Sequence, residues 1–83
     1  MLQIKVLGPG CPNCEKVEAV ARQAIANFGV EAQFEKITDF MEIMNYNVLA
    51  TPGLVINEQL VSAGRIPNET EVMTWVANAL EAT

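Results

Sequence analysis

The stretch Gly8-Pro9-Gly10-Cys11-Pro12-Asn13-Cys14 (GPGCPNC) holds the only two cysteines of the chain, and it divides two runs of different period. Ahead of it, Leu2, Ile4 and Val6 alternate with Gln3 and Lys5 until Gly8 stops the pattern, which is the period of a strand. Behind it, from Pro12 to Phe28, the residues Val17, Val20, Ala21, Ala24, Ile25 and Phe28 recur at helical spacing, and Gly29 supplies a left-handed stop. The two sulfurs therefore sit on a strand-to-helix turn.

Reading downstream extends this unit. Glu31 to Ile37 (EAQFEKI) reads as a second strand with Val30, Ala32 and Phe34 on one side, and a crossover through a helix makes it parallel to the first. Asp39 with Glu42 caps a short helix carrying Phe40, Ile43 and Met44, which Asn45-Tyr46-Asn47 loosens. Leu54 to Asn57 and Gln59 to Ala63 flank the polar turn Asn57-Glu58 and are expected to pair as an antiparallel hairpin. Asn68 and Glu71 form a capping box that opens the last helix, with Val72, Trp75, Val76, Ala79 and Leu80 as its buried stripe. The order βαβαββα predicts an α/β fold, a four-stranded mixed sheet flanked by helices. No repeat, linker or low-complexity segment interrupts it, so residues 1–83 read as a single domain.

Composition narrows the function. A chain of 83 residues buries roughly 60% of its unfolded surface in one core and has no room for a second. The net charge of −5 and the scattered bases Lys5, Lys16, Arg22, Lys36 and Arg65 argue against a phosphate-backbone partner, which needs clustered cations to displace counterions. No nucleic acid is expected. No charged leader with an apolar run opens the chain, and no segment approaches the roughly 18 apolar residues that span a bilayer. The expectation is a cytoplasmic monomer with no membrane partner.

Three chemistries compete for the cysteine pair. A structural staple is the weakest, since closing a loop of four residues stabilises by only about 2 kcal/mol. A nucleophile of the protease type is not among the three, since it needs a base and the chain has no histidine. Pro12 suits the first helical position, which makes Cys11 the N-cap. There the open N–H groups of Asn13 and Cys14 and the positive end of the helix dipole favour a thiolate and lower the thiol pKa. Cys11 would then attack, and Cys14, a turn further in and better shielded, would resolve the mixed disulfide. The rival is a soft-metal module: two thiolates can hold Cu(I) linearly, whereas Zn would need further ligands such as Glu15, Glu18 or a second chain.

The order βαβαββα, with Cys-Pro-Asn-Cys after the first strand and Ala50-Thr51-Pro52-Gly53 before the hairpin, resembles the thioredoxin and glutaredoxin superfamily, and most of all its small bacterial and archaeal members. The resemblance spans nearly the whole chain. It implies a thioredoxin-like fold and a thiol–disulfide oxidoreductase in which Cys11 and Cys14 are the redox couple, with no cofactor beyond that disulfide. It also implies a cis Thr51–Pro52 bond lying against the cysteines, and a substrate groove formed by Gly10, Pro12, Asn13, Thr51, Pro52 and Gly64. The partners it implies are disulfide-containing proteins and an electron donor of the thioredoxin reductase or glutathione type. Ferredoxin-like metal carriers with a similar motif end on a strand, whereas this chain ends on a capped helix.

The chain departs from that pattern in three places. Gly10 stands where thioredoxins have Trp, and Pro-Asn lies between the cysteines in place of Gly-Pro. Lys5 occupies the position at which an ungapped count would put their buried carboxylate. Lys5 and Glu15 are accordingly candidates for tuning the cysteines, against plainer roles as a solvated strand lysine and a complement to the helix dipole. Met41, Met44 and Trp75 are expected to serve as core or core-margin packing, with a soft contact surface as the alternative for the methionines.

Overall fold

The computed structural model describes residues 2–10, 12–48 and 50–81. Its elements follow the expected order: β1 (Leu2–Leu7), α1 (Pro12–Phe28), β2 (Ala32–Ile37), α2 (Phe40–Met44), β3 (Gly53–Ile56), β4 (Gln59–Ala63) and α3 (Glu69–Glu81). The sheet order is β2-β1-β3-β4. β1 runs parallel to β2 and antiparallel to β3, and β3 and β4 form the antiparallel hairpin. The sheet is mixed because the α1 crossover returns the chain in the starting direction, whereas a tight turn reverses it.

The period-two pattern of β1 decides which face each side chain joins. Leu2, Ile4 and Val6 enter the main core with Val17, Ala21, Ala24 and Ile25 of α1, Leu54 and Ile56 of β3, and Val72 and Val76 of α3. Ala21 and Ala24, both fully buried, keep the facing surface of α1 low where α3 packs across it. At the rim of that contact the Asn27 side-chain amide donates to Glu69 of α3. Leu7 points the other way, into a smaller cluster with Ile37, Ile43, Val48 and Val55, against which Tyr46 packs. One face of the sheet is thus covered by two long helices and the other by the five-residue α2.

The ends of the elements show why they stop. Gly29 adopts φ +81° and its N–H bonds the Ile25 carbonyl, the left-handed close of α1. The Asp39 carboxylate accepts from the Met41 N–H at the start of α2. At α3 the capping box is reciprocal: Asn68 Oδ1 accepts from Glu71 N at 2.8 Å, and Glu71 Oε1 accepts from Asn68 N at 3.2 Å.

Three strand boundaries differ by one residue from the sequence expectation, the first being the start of β3 at Gly53, which pairs with Leu7 and Ala63. β2 starts at Ala32, with the Glu31 carbonyl still accepting from Leu2 N. β3 ends at Ile56, because Asn57 and Glu58 both take positive φ, 49° and 68°, to make the two-residue hairpin turn. Asn57 also anchors that turn to the sheet, its side-chain oxygen accepting from Gln3 N and its N–H donating to Gln3 O. A bulge at Val61 separates the pairs Leu54↔Ser62 and Val55↔Leu60, so that both Val61 and Ser62 meet the α1/α3 side.

Candidate active site

The C-terminal end of β1, the start of α1 and the loop before β3 converge at one end of the sheet. Cys14 lies in the first turn of α1, nearly fully buried and disulfide-bonded. Cys11, the expected attacking residue, lies outside the described residues. Pro12 is the first residue of α1, as its fixed φ and missing N–H suit, and it is exposed together with Asn13. Gly10 turns the chain into this helix at φ +91°, a conformation that favours glycine.

The Thr51–Pro52 peptide bond is cis, matching the expectation drawn from the resemblance. Pro52 is buried, and its carbonyl accepts from Gly64 N at 2.9 Å, which seats Gly64 beside the turn. Gly64 has φ +76°, and a Cβ there would stand 3.0 Å from that of Ala50. The structure therefore brings Thr51, Pro52 and Gly64 together by a hydrogen bond that joins the start of β3 to the end of β4. It brings Thr51 towards the cysteine turn as well, since a Cβ on Gly8 would lie 3.9 Å from Thr51 Cβ and 2.2 Å from Cys14 Sγ.

Gly8 is the residue that sequence reading passed over, treating it as a strand stop. The signal was present in its spacing: a glycine closing a strand six positions ahead of a cysteine in the first helical turn leaves room for that sulfur to fold back on the strand. A second feature was also missed. An apolar groove of about 350 Å³ opens beside Thr51, lined by Pro9, Thr38, Phe40, Ile43, Met44 and Ala50 among others. Phe40 is 70% exposed, Met41 73% and Met44 47%, so the two methionines are not core residues. The reason is the length of α2: five residues turn only one side chain, Ile43, fully onto the sheet.

The charged candidates divide. Glu15 lines a small recess with Cys14, Gly8, Gly10, Lys36 and Thr38, so it does stand beside the inner cysteine. Lys5 has its hydrogen-bond partners elsewhere. Its ammonium is hydrogen-bonded to Glu58 at 2.7 Å and to the Tyr46 hydroxyl at 2.9 Å. Those two bonds hold the Lys5 pKa above its ordinary 10.5, and the Lys5 ammonium in turn lowers that of Glu58. This network ties β1 to the hairpin turn and to the segment after α2. Trp75 packs partly buried against the main core, as expected.

Among the described residues no group of three or more His, Cys, Asp or Glu side chains is placed to hold a metal ion, and the soft-metal alternative gains no support. No described helix is long and apolar enough to cross a membrane.

Comparison with known proteins agrees with the geometry. The thioredoxin domain family matches residues 2–77. A thioredoxin of Methanothermobacter thermautotrophicus is 36% identical over 72 residues, 87% of this chain and 94% of its own length. A thioredoxin of Methanocaldococcus jannaschii is 32% identical over 81 residues, 98% of this chain and 93% of its own length.

Proposed function

Because this chain belongs to the thioredoxin family, and is a redox protein of that type, we propose that it is a protein-disulfide reductase working through Cys11 and Cys14. The observation that carries this reading is the meeting of three features at one end of the sheet: a buried, disulfide-bonded Cys14, the cis Thr51–Pro52 turn, and an open apolar groove alongside. An extended substrate segment would lie along Thr51 and Gly64 and set an apolar side chain between Phe40 and Met44. Gly10, Pro12 and Asn13, on the exposed rim of the cysteine turn, would meet its disulfide.

The cycle begins when the Cys11 thiolate attacks one sulfur of the substrate disulfide and displaces the other as a thiolate. Cys14 then attacks the Cys11 sulfur of the mixed disulfide and releases the second substrate thiolate, which leaves the Cys11–Cys14 disulfide. Two electrons pass from the dithiol to the substrate, and the two thiol protons end on the substrate thiols. No cofactor takes part. A thioredoxin reductase-like or glutathione-based donor would return the pair to the dithiol, in a cytoplasmic setting that keeps thiols reduced. Residues 1–83 would carry this activity as one domain and as a monomer.

Insulin reduction with dithiothreitol or a reductase as electron source tests the proposal. Wild type is expected to accelerate it, Cys11→Ser to abolish turnover, and Cys14→Ser to form a mixed disulfide without completing the cycle. A Cys11→Ser variant as active as wild type would refute it.

A further inference from the structure

From the contact between Gly8 and the inner cysteine, and resting on the reductase reading above, we infer that Gly8 is a positioning residue for Cys14: its missing side chain is the seat of the Cys14 sulfur in the disulfide state. The contact is far inside any ordinary separation. A Cβ at Gly8 would fall 2.2 Å from Cys14 Sγ and 3.4 Å from Cys14 Cβ. The second value is ordinary van der Waals contact, so it is the sulfur alone that cannot coexist with a side chain.

Backbone conformation does not explain the glycine. Positive φ is found at Gly10, Gly29 and Gly64 but not at Gly8, so an alanine meets no left-handed strain there. Gly8 also has no freedom to retreat. Its N–H bonds the Ile37 carbonyl at 2.9 Å, and the preceding Leu7, fully buried, is in register with Ile37 on one side and Gly53 on the other. With the strand held, an added methyl group has to displace the sulfur.

The two redox states respond unequally to that displacement. In the dithiol the Cys14 side chain can rotate its sulfur away from position 8 at the modest cost of a changed χ1. In the disulfide the sulfur is covalently held and cannot rotate independently. A methyl group at position 8 therefore penalises the disulfide more than the dithiol, and it hinders the resolving step, whose product is that disulfide. Attack by Cys11 on the substrate needs no movement of Cys14 and is left alone.

The test is Gly8→Ala in the full chain. Equilibration against glutathione redox buffers, read by thiol alkylation and mass spectrometry, should show the thiol–disulfide constant shifted at least about tenfold towards the dithiol, which is about 30 mV for a two-electron couple. In single turnover with a model disulfide peptide, the mixed disulfide should form within about twofold of the wild-type rate and then accumulate. A constant within about twofold of wild type would overturn the inference.

A general folding role is separated by repeating the substitution in a Cys14→Ala background, where no sulfur is present. Gly8→Ala should there leave the thermal midpoint unchanged, even if it prevents folding when Cys14 is intact. Equal destabilisation in both backgrounds would overturn the inference. The glutathione equilibrium needs no turnover of a protein substrate. A wild type inert towards insulin would therefore sink the reductase reading while leaving the seat itself measurable.

Discussion

The two faces of the sheet are built to different depths. Beneath α1 and α3, Leu2, Ile4, Val6, Leu54 and Ile56 are sealed by two long helices, and almost every apolar side chain contributes to one continuous core. Beneath α2 only a small cluster around Leu7 and Ile43 is closed, while Phe40, Met41 and Met44 stay open beside the cis-proline turn. The difference teaches a division of labour. Stability is concentrated on the covered face, and on the thin face apolar surface stays exposed where the proposed reductase would meet its substrate. Elements that must meet a partner cannot also be fully spent on the core.

That division can be broken at its strong side first. Leu54→Ala, at a fully buried position of the sealed face, is expected to cost about 2–5 kcal/mol, a large part of the ~5–15 kcal/mol available to a small domain. Urea unfolding measures it, and a loss below about 1 kcal/mol would mean that the core is not where the stability lies. On the thin face, Phe40→Ala and Met44→Ala should change stability by less than about 0.5 kcal/mol. Each should nonetheless raise KM for a protein disulfide about fivefold, or about 1 kcal/mol, with little effect on a small aromatic disulfide. Equal effects on the two substrates would remove the groove from the account.

Smaller effects sharpen the comparison at α3. Asn68→Ala removes the cap from the helix that closes the sealed face and should cost about 1 kcal/mol, again by urea unfolding, without altering turnover. Glu71→Gln keeps the capping geometry and removes only the charge. The Glu71 carboxyl is brought from its ordinary 4.5 down to about 2, first by the Arg65 guanidinium and then by the Asn68 N–H. A depressed folded pKa stabilises above the unfolded value and is lost as pH falls through the folded one. The small advantage of wild type over Glu71→Gln should therefore be present above about pH 4.5 and vanish towards pH 2. An advantage that grew on acidification would contradict the pairing.

Much of the architecture was legible because it rests on local signals. Period two in β1 and the helical period of α1 and α3 reflect which side chains face a core, and Gly29, Asp39 and the Asn68–Glu71 box mark ends where backbone groups need partners. The parallel pairing of β1 and β2 followed from the helical crossover between them. The misplaced end of β3 followed from Asn57, which belongs to a turn by its backbone and to the sheet by its two bonds with Gln3. Lys5 was harder to read: on a strand next to a cysteine turn it looked available to the sulfurs, yet its partners Tyr46 and Glu58 come from distant segments.

The sequence by itself determined the elements, their order and the two sulfurs at a helix start, since each of these depends on residues a few positions apart. Only the tertiary structure decided what those sulfurs touch. The closeness of Gly8 to Cys14 is a matter of how the chain turns, while Thr51 beside Gly8 and Gly64 bonded to Pro52 are meetings of groups far apart along the chain. The physical reason is the sheet. Strand pairing places the end of β1 beside the start of β3, and no local pattern records how near a side chain may then approach.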